Sequence, residues 1–294
     1  MPKHNLYSSP AYTAAGYSFD STRKPAWITE SLQIDPIAGV TVVPPAPVSR
    51  EEIESLHDPA YVQAIFTGTP LELAESNCFT WDSQVWTMVT AQNGGAIAAA
   101  ISALNDGVSG SLSTGMHHAY RSKGKGFCTF NGLALSALAA LRQGASNVLI
   151  LDLDAHCGGG THSLICDHER IWQIDVSVSN FDEHGDTPRS SVTFIKTPSR
   201  YLSFIEEELA ACQGTPFGLC LYFSGMDPHE GCSFGGTPGF NDELLARREA
   251  MVFDWCRSQG IPVAYFVGGG YTGKRITQDH LVKLHRYTIA AAAR

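Results

Sequence analysis

The sequence predicts an α/β protein in which a parallel sheet carries helices on both faces. Strand-like runs at Val148–Leu151, Ile171–Ile174, Leu219–Phe223 and Val263–Val267 alternate with helical patterns at Tyr201–Cys212, Glu243–Ser258 and His280–Ala292. The strand runs are almost continuously apolar, as strands buried on both faces are. A chain of 294 residues, 44% of them hydrophobic, can bury one large domain or two small ones. No internal repeat, low-complexity linker or shift of composition divides it.

The first half shows its elements through caps and spacing. Pro44-Pro45-Ala46-Pro47 leads into Ser49-Arg50-Glu51-Glu52, a capping box followed by apolar Ile53, Leu56 and Tyr61. An alanine-rich helix is expected from about Trp86 to Leu104. Another follows Asn131, with Leu135, Leu138 and Leu141 at helical spacing and Gly144 placed to end it. From Val148 onward, strands and helices take turns.

Composition narrows the function. A net charge of -9 argues against a nucleic-acid surface or a polybasic membrane patch, although Arg121, Lys123 and Lys125 cluster locally. No apolar run has the length of a membrane span. The N-terminus lacks the hydrophobic segment of a secretion signal. The eight cysteines form no CxxC pair and several sit in apolar runs, so they read as reduced, mostly buried thiols of a cytoplasmic protein.

In doubly wound sheets, ligands bind at the carboxyl ends of the strands. Here Asp152, Asp154 and His156 follow one strand, Asp227 follows a second, and Gly268-Gly269-Gly270-Tyr271 follows a third. If the strand pleat continues, Asp152, Asp154 and His156 project to one side. Asp154, His156 and Asp227 make a set of two carboxylates and one imidazole. Three protein ligands with an open position is the pattern of a catalytic zinc. His162, His168 and His229 are rival ligands that read better as loop or surface histidines. The pair His117-His118 can reach one site from a loop, and it precedes the glycine-aromatic segment Gly126-Phe127-Cys128-Thr129-Phe130-Asn131.

These blocks resemble the zinc-dependent histone deacetylase superfamily, which includes acetoin utilisation proteins and acetylpolyamine amidohydrolases. The matching segments keep the family's order: Leu56-His57-Asp58-Pro59-Ala60-Tyr61-Val62, His117-His118-Ala119, Gly126 to Asn131, Asp152-Leu153-Asp154-Ala155-His156, Gly225-Met226-Asp227-Pro228-His229 and Gly268 to Tyr271. The resemblance implies an arginase-deacetylase-like single domain over residues 1–294, with about eight strands in the central sheet.

It also implies roles. Asp154, His156 and Asp227 are expected to hold one Zn2+. His117 and His118 are the expected tandem catalytic histidines. Asp152 is expected to orient His117, with a structural K+ or Na+ near it. Tyr271 is expected to hydrogen-bond the substrate carbonyl. Gly126, Phe127 and Phe234 are expected along a substrate tunnel, with Gly269 and Gly270 at its floor. The expected partner is an acylated lysine in a protein or peptide, or a small-molecule amide. Oligomeric state is left open.

Three departures bear on this. The family's His at 157 and its Asp or Asn at 159 are replaced by Cys157 and Gly159. His118 is therefore expected to lack its carboxylate or amide partner. After the third ligand comes Cys232-Ser233-Phe234, so no acidic gate for polyamines is evident, although Glu230 is near in sequence. The rim aspartate that would hold a substrate backbone falls to Asp82, or to Asn77. Gly158 stands where the related arginases carry a further carboxylate, which argues for one metal and against ureohydrolase chemistry. Two other functions stay in play: a deacetylase of a small molecule such as an acetylpolyamine, and a catalytically weak protein that binds acyl-lysine.

Overall fold

The computed structural model describes residues 4–16 and 20–294. Eight strands form one sheet: β1 (His4–Tyr7), β2 (Val40–Val43), β3 (Val108–Ser111), β4 (Val148–Asp152), β5 (Ile171–Ser177), β6 (Ser190–Phe194), β7 (Leu219–Ser224) and β8 (Val263–Val267). Their order is β2-β1-β3-β8-β7-β4-β5-β6, and every pairing is parallel.

Among the described residues, ten α-helices connect them: α1 (Lys24–Ile34), α2 (Arg50–Glu54), α3 (Pro59–Thr67), α4 (Leu71–Ala74), α5 (Val85–Asp106), α6 (Gly132–Arg142), α7 (Gly159–Ile165), α8 (Pro198–Ala211), α9 (Asp242–Gln259) and α10 (Gln278–Ala292). The caps seen in the sequence close them. Ser49 accepts the Glu52 N–H at the start of α2, and Asn131 accepts the Ala134 N–H at the start of α6. Gly144 stops the segment after α6 with a left-handed φ of +98°.

The sheet is covered on both faces. Val148 and Ile150 pack with the alanines of α5 and the leucines of α6. Leu149 and Leu151 face the other way, toward Tyr201 and Ile205 of α8, Val252 and Phe253 of α9, and Ile289 of α10. Successive residues of β4 thus feed two cores, which is why the strand reads as unbroken apolar sequence. The expected strands and helices are present, with ends moved by a few residues. The larger difference is β5, which runs to Ser177 rather than Ile174. Among the described residues, no helix is long and apolar enough to cross a membrane. All eight cysteines are free thiols; Cys78 is exposed and five are buried.

Candidate active site

The chemistry-bearing loops leave the carboxyl ends of adjacent central strands. β4 ends at Asp152, so Asp154 and His156 are not strand residues. Asp152 Oδ1 accepts the Asp154 N–H at 3.1 Å, and Asp154 Oδ1 accepts the His156 N–H at 3.1 Å. Two successive side-chain-to-backbone turns, rather than a continued pleat, therefore set these alternate residues.

Asp154, His156 and Asp227 come together, each offering a ligand atom within 4.8 Å of the others. His156 Nδ1 lies 3.2 Å from Asp154 Oδ1 and 3.1 Å from Asp227 Oδ2. Both carboxylates are buried. Burial first, and the charge of Asp154 second, push Asp227 up to about 6. Burial works against charge on His156, yet hydrogen bonds to Asp154 and Asp227 raise it to about 10. Two buried carboxylates here call for positive charge, and the donor set suits a divalent cation.

The tandem histidines lie in the loop after β3, with ring centroids 3.9 Å apart. The Thr161 N–H holds the His117 carbonyl at 2.9 Å, and Asn131 Nδ2 holds that of Ala119 at 3.1 Å. His117 Nδ1 is 2.8 Å from Asp152 Oδ2. Burial first, then Asp175 and Asp154, raise the Asp152 carboxyl well above its ordinary value. Burial, with the adjacent His117, holds His118 down to about 4.

His118 does have a partner, contrary to the expectation raised by Gly159. Asp182, in the segment between β5 and β6, lies with Oδ2 2.8 Å from His118 Nδ1. The same carboxylate accepts from Tyr120 Oη at 2.7 Å, from Lys125 Nζ at 2.5 Å and from the Gly160 N–H at 3.2 Å. The strand-end rule could have found it, because Asp182 follows the carboxyl end of β5. Reading β5 as stopping at Ile174 hid that position.

A narrow cavity of about 60 Å³ opens beside these groups, with Asp154, His117, Gly126, Phe127, Gly269 and Tyr271 in its wall. Gly126 and Phe127 turn through left-handed backbone, with φ of +51° and +65°. Phe127 sits 6.5 Å from the Tyr271 ring. Phe234 is half exposed at the rim, 5.2 Å from Tyr271 and 6.4 Å from Phe127 between ring centroids. Phe181, not anticipated, stands edge-on to His118 at 5.0 Å and to His156 at 5.8 Å. Gly269 donates its N–H to Asp154 Oδ2 at 2.6 Å. Gly270 instead packs on His285 and Leu281, outside the cavity wall.

The two rim candidates are employed elsewhere. Asn77 is buried and binds Thr129 and the Phe79 N–H, while Asp82 accepts from the backbone of Gly16 and Gln84. Glu230 accepts the Gly239 N–H at 2.8 Å. Two buried cations also escaped notice in the sequence. Lys24 lines the cavity and donates to the Gly268 carbonyl; burial lowers it to about 8 against the pull of Asp227 and Asp154. Arg248 of α9 donates to the Leu153 carbonyl at 3.0 Å and the Gly225 carbonyl at 2.7 Å, so one guanidinium ties together the loops that carry Asp154 and Asp227.

A second cluster, His229, Asp242 and His280, has ligand-like spacing. His229 lies in the loop between β7 and α9, as expected, but is buried, and its Nδ1 accepts the Gly231 N–H at 3.1 Å. Its proton is therefore on Nε2, which donates to Asp242 Oδ1 at 3.1 Å. Lys283 Nζ adds a bond to Asp242 Oδ2 at 2.9 Å. With His280 Nε2 2.7 Å from Asp242 Oδ1, the cluster is a hydrogen-bonded ion-pair network.

Known proteins share this architecture. A crystal structure of the HDA15 HD domain superposes with a TM-score of 0.81 at 16% identity, covering 99% of this chain and 90% of that one. At that identity the likeness concerns the fold. An uncharacterised protein of Picosynechococcus sp. is 32% identical over 236 residues, 76% of each chain. Histone deacetylase 2 of Arabidopsis thaliana is 29% identical over 248 residues, 81% of this chain and 63% of that protein. Residues 19–187, more than half of the 294, match the family model described as the histone deacetylase domain. By that match the chain belongs to the histone deacetylase domain family.

Proposed function

We propose that the protein is a zinc-dependent deacylase that removes acetyl or other short acyl groups from lysine side chains of proteins or peptides. The observation that carries this reading is the convergence of Asp154, His156 and Asp227 with His117, His118 and Tyr271 around one narrow, aromatic-walled cavity. Asp154, His156 and Asp227 would hold the zinc. When bound, such an ion supplies Lewis acidity at the acyl carbonyl and lowers the pKa of water.

The chain's own groups do the rest. His118, with Nδ1 engaged by Asp182, presents Nε2 as the general base. His117, held by Asp152, provides the proton for the leaving amine. The Tyr271 hydroxyl donates to the oxyanion as it develops. Asp152 and Asp175, register partners on β4 and β5, lie close to the buried hydroxyl of Ser177, two residues further along β5. That oxygen-rich region suits the structural K+ or Na+.

Two features favour an acyl-lysine over an acetylpolyamine. Among the described residues of the cavity wall, the only carboxylate is Asp154, and Phe127 and Phe234 stand where an acidic gate would be. A polycation finds no counter-charge at that mouth, whereas an aliphatic stem packs against rings. The cavity is narrow between the Phe127 and Tyr271 rings, which suits a short acyl group on an aliphatic stem.

The test is a panel of acetyl-, propionyl- and octanoyl-lysine peptides with acetylpolyamines, run on zinc-loaded protein with a chelator control. Acetyl-lysine peptide should turn over fastest, rates should fall with acyl length, and chelation should abolish them. Preference for acetylpolyamine would move the reading to a small-molecule enzyme. Tight acyl-lysine binding without turnover would make it a binding protein.

A further inference from the structure

We propose that Asp182 is the positioning residue for His118, delivered by the loop between β5 and β6 in place of the carboxylate or amide the family resemblance expects at position 159. The inference deepens the deacylase reading and rests on it for its kinetic arm.

The two placements exclude each other. A Cβ on Gly159 would lie 2.3 Å from the Asp182 carbonyl oxygen and 2.9 Å from its carboxyl carbon. Only glycine at 159 lets the loop close over the start of α7 and set a carboxylate against His118 Nδ1. Asp182 adopts a left-handed φ of +63°, a conformation a non-glycine residue keeps only when its surroundings hold it.

They do hold it. The Cys157 N–H binds the Phe181 carbonyl at 3.0 Å, and the Gly160 N–H reaches Asp182 Oδ2 at 3.2 Å. Asp175 clasps both flanks, accepting the Gly158 N–H at 2.6 Å and His184 Nε2 at 3.0 Å. Four donors converge on the Asp182 carboxylate, from His118, Tyr120, Lys125 and Gly160. With Lys125 and Tyr120 supplying further donors, the carboxylate is fixed as an acceptor. His118 must then carry its proton on Nδ1 and leave Nε2 as the lone pair toward His156 and the cavity. Phe181, the neighbouring residue, packs its ring against His118. One loop therefore sets both an aromatic wall and the orientation of the base.

The experiment has two arms on the full chain loaded with zinc. In the first, ring nitrogens of 15N-labelled histidines are read by NMR. His118 should be the Nδ1–H tautomer, and in Asp182→Asn, where Lys125 as an obligate donor keeps the amide oxygen and the NH2 faces His118, it should shift toward Nε2–H. A wild-type His118 already protonated on Nε2 overturns the inference. In the second arm, Asp182→Asn should lower kcat about a hundredfold, with KM within about twofold and zinc content unchanged. In an His118→Ala background the same substitution should cost nothing further. Equal losses in both backgrounds, or a kcat within about threefold of wild type, would make Asp182 a structural residue only. If the wild type turns over no acyl substrate while His118 is still Nδ1–H and responds to Asp182→Asn, the deacylase reading fails and the positioning stands.

Discussion

At the scale of single residues, the site is built from groups whose polarity is useful because they are buried. Burial first, then the charges of Asp227 and Asp154, raise the Tyr271 phenol well above its ordinary value. It therefore remains a donor throughout the working range. Removing one such donor costs about 3 kcal/mol in the barrier, or about a hundredfold in rate. Tyr271→Phe should lose that much kcat while binding zinc with normal stoichiometry. Unchanged turnover would take Tyr271 out of the mechanism. The positions of Asp154, His156, Asp227, the histidine pair and Tyr271 stand out in the sequence because each follows a strand end or a glycine turn within a few residues. Asp182 was hidden because β5 reads as stopping at Ile174, which moves it away from a strand end, and because its contact with His118 depends on the missing side chain at Gly159.

At the scale of elements, the strands differ in how clearly they show themselves. β4, β7 and β8 lie inside the sheet between two cores, so every position before the terminal Asp152 of β4 and Ser224 of β7 is apolar and the run is plain. β3 reads Val108-Ser109-Gly110-Ser111, since Gly110 must clear the Tyr265 ring and Ser109 and Ser111 bond the backbone of β1. β6 is an edge strand whose Ser191 and Thr193 bond Glu208 of α8. Polar duties erase the strand signal in both. α9 shows the reverse, a helix clear in the sequence whose buried cation was not. Arg248 holds the backbone of the Asp154 and Asp227 loops in a planar, multi-donor geometry that lysine cannot copy. Arg248→Lys should therefore lower zinc affinity about 10- to 100-fold and destabilise the protein by about 3 kcal/mol as a buried network is broken. Competition with a chromophoric chelator and urea unfolding read the two effects. Wild-type affinity in a folded Arg248→Lys protein would separate α9 from the metal group.

At the scale of the whole molecule, acid stability depends on histidines kept neutral in the interior. His57 joins three parts of the chain: it donates from Nδ1 to the Tyr120 carbonyl at 2.9 Å and accepts the Asn131 N–H at Nε2 at 3.0 Å. A proton on Nε2 would abolish the second bond, at the start of α6 and just behind the His117-His118 loop. Burial lowers His57 from 6.5 to about 4, and burial does the same to His4. Between those pH values the unfolded chain binds protons that the native state refuses, so stability falls as pH drops from 6.5 toward 4 and levels off below. Above 6.5 neither state is protonated at His57 and its contribution is complete. At pH 4.5 the loss assigned to His57 alone is about 2.5 kcal/mol. Gln at this position can donate to Tyr120 and accept from Asn131 without titrating. The drop in unfolding free energy between pH 7 and pH 4.5 should therefore be smaller in His57→Gln than in wild type by about that amount, with the contribution of His4 still present in both. Parallel stability curves for the two proteins would mean that the clamp between α2, the histidine loop and α6 is not the acid-sensitive joint of the fold.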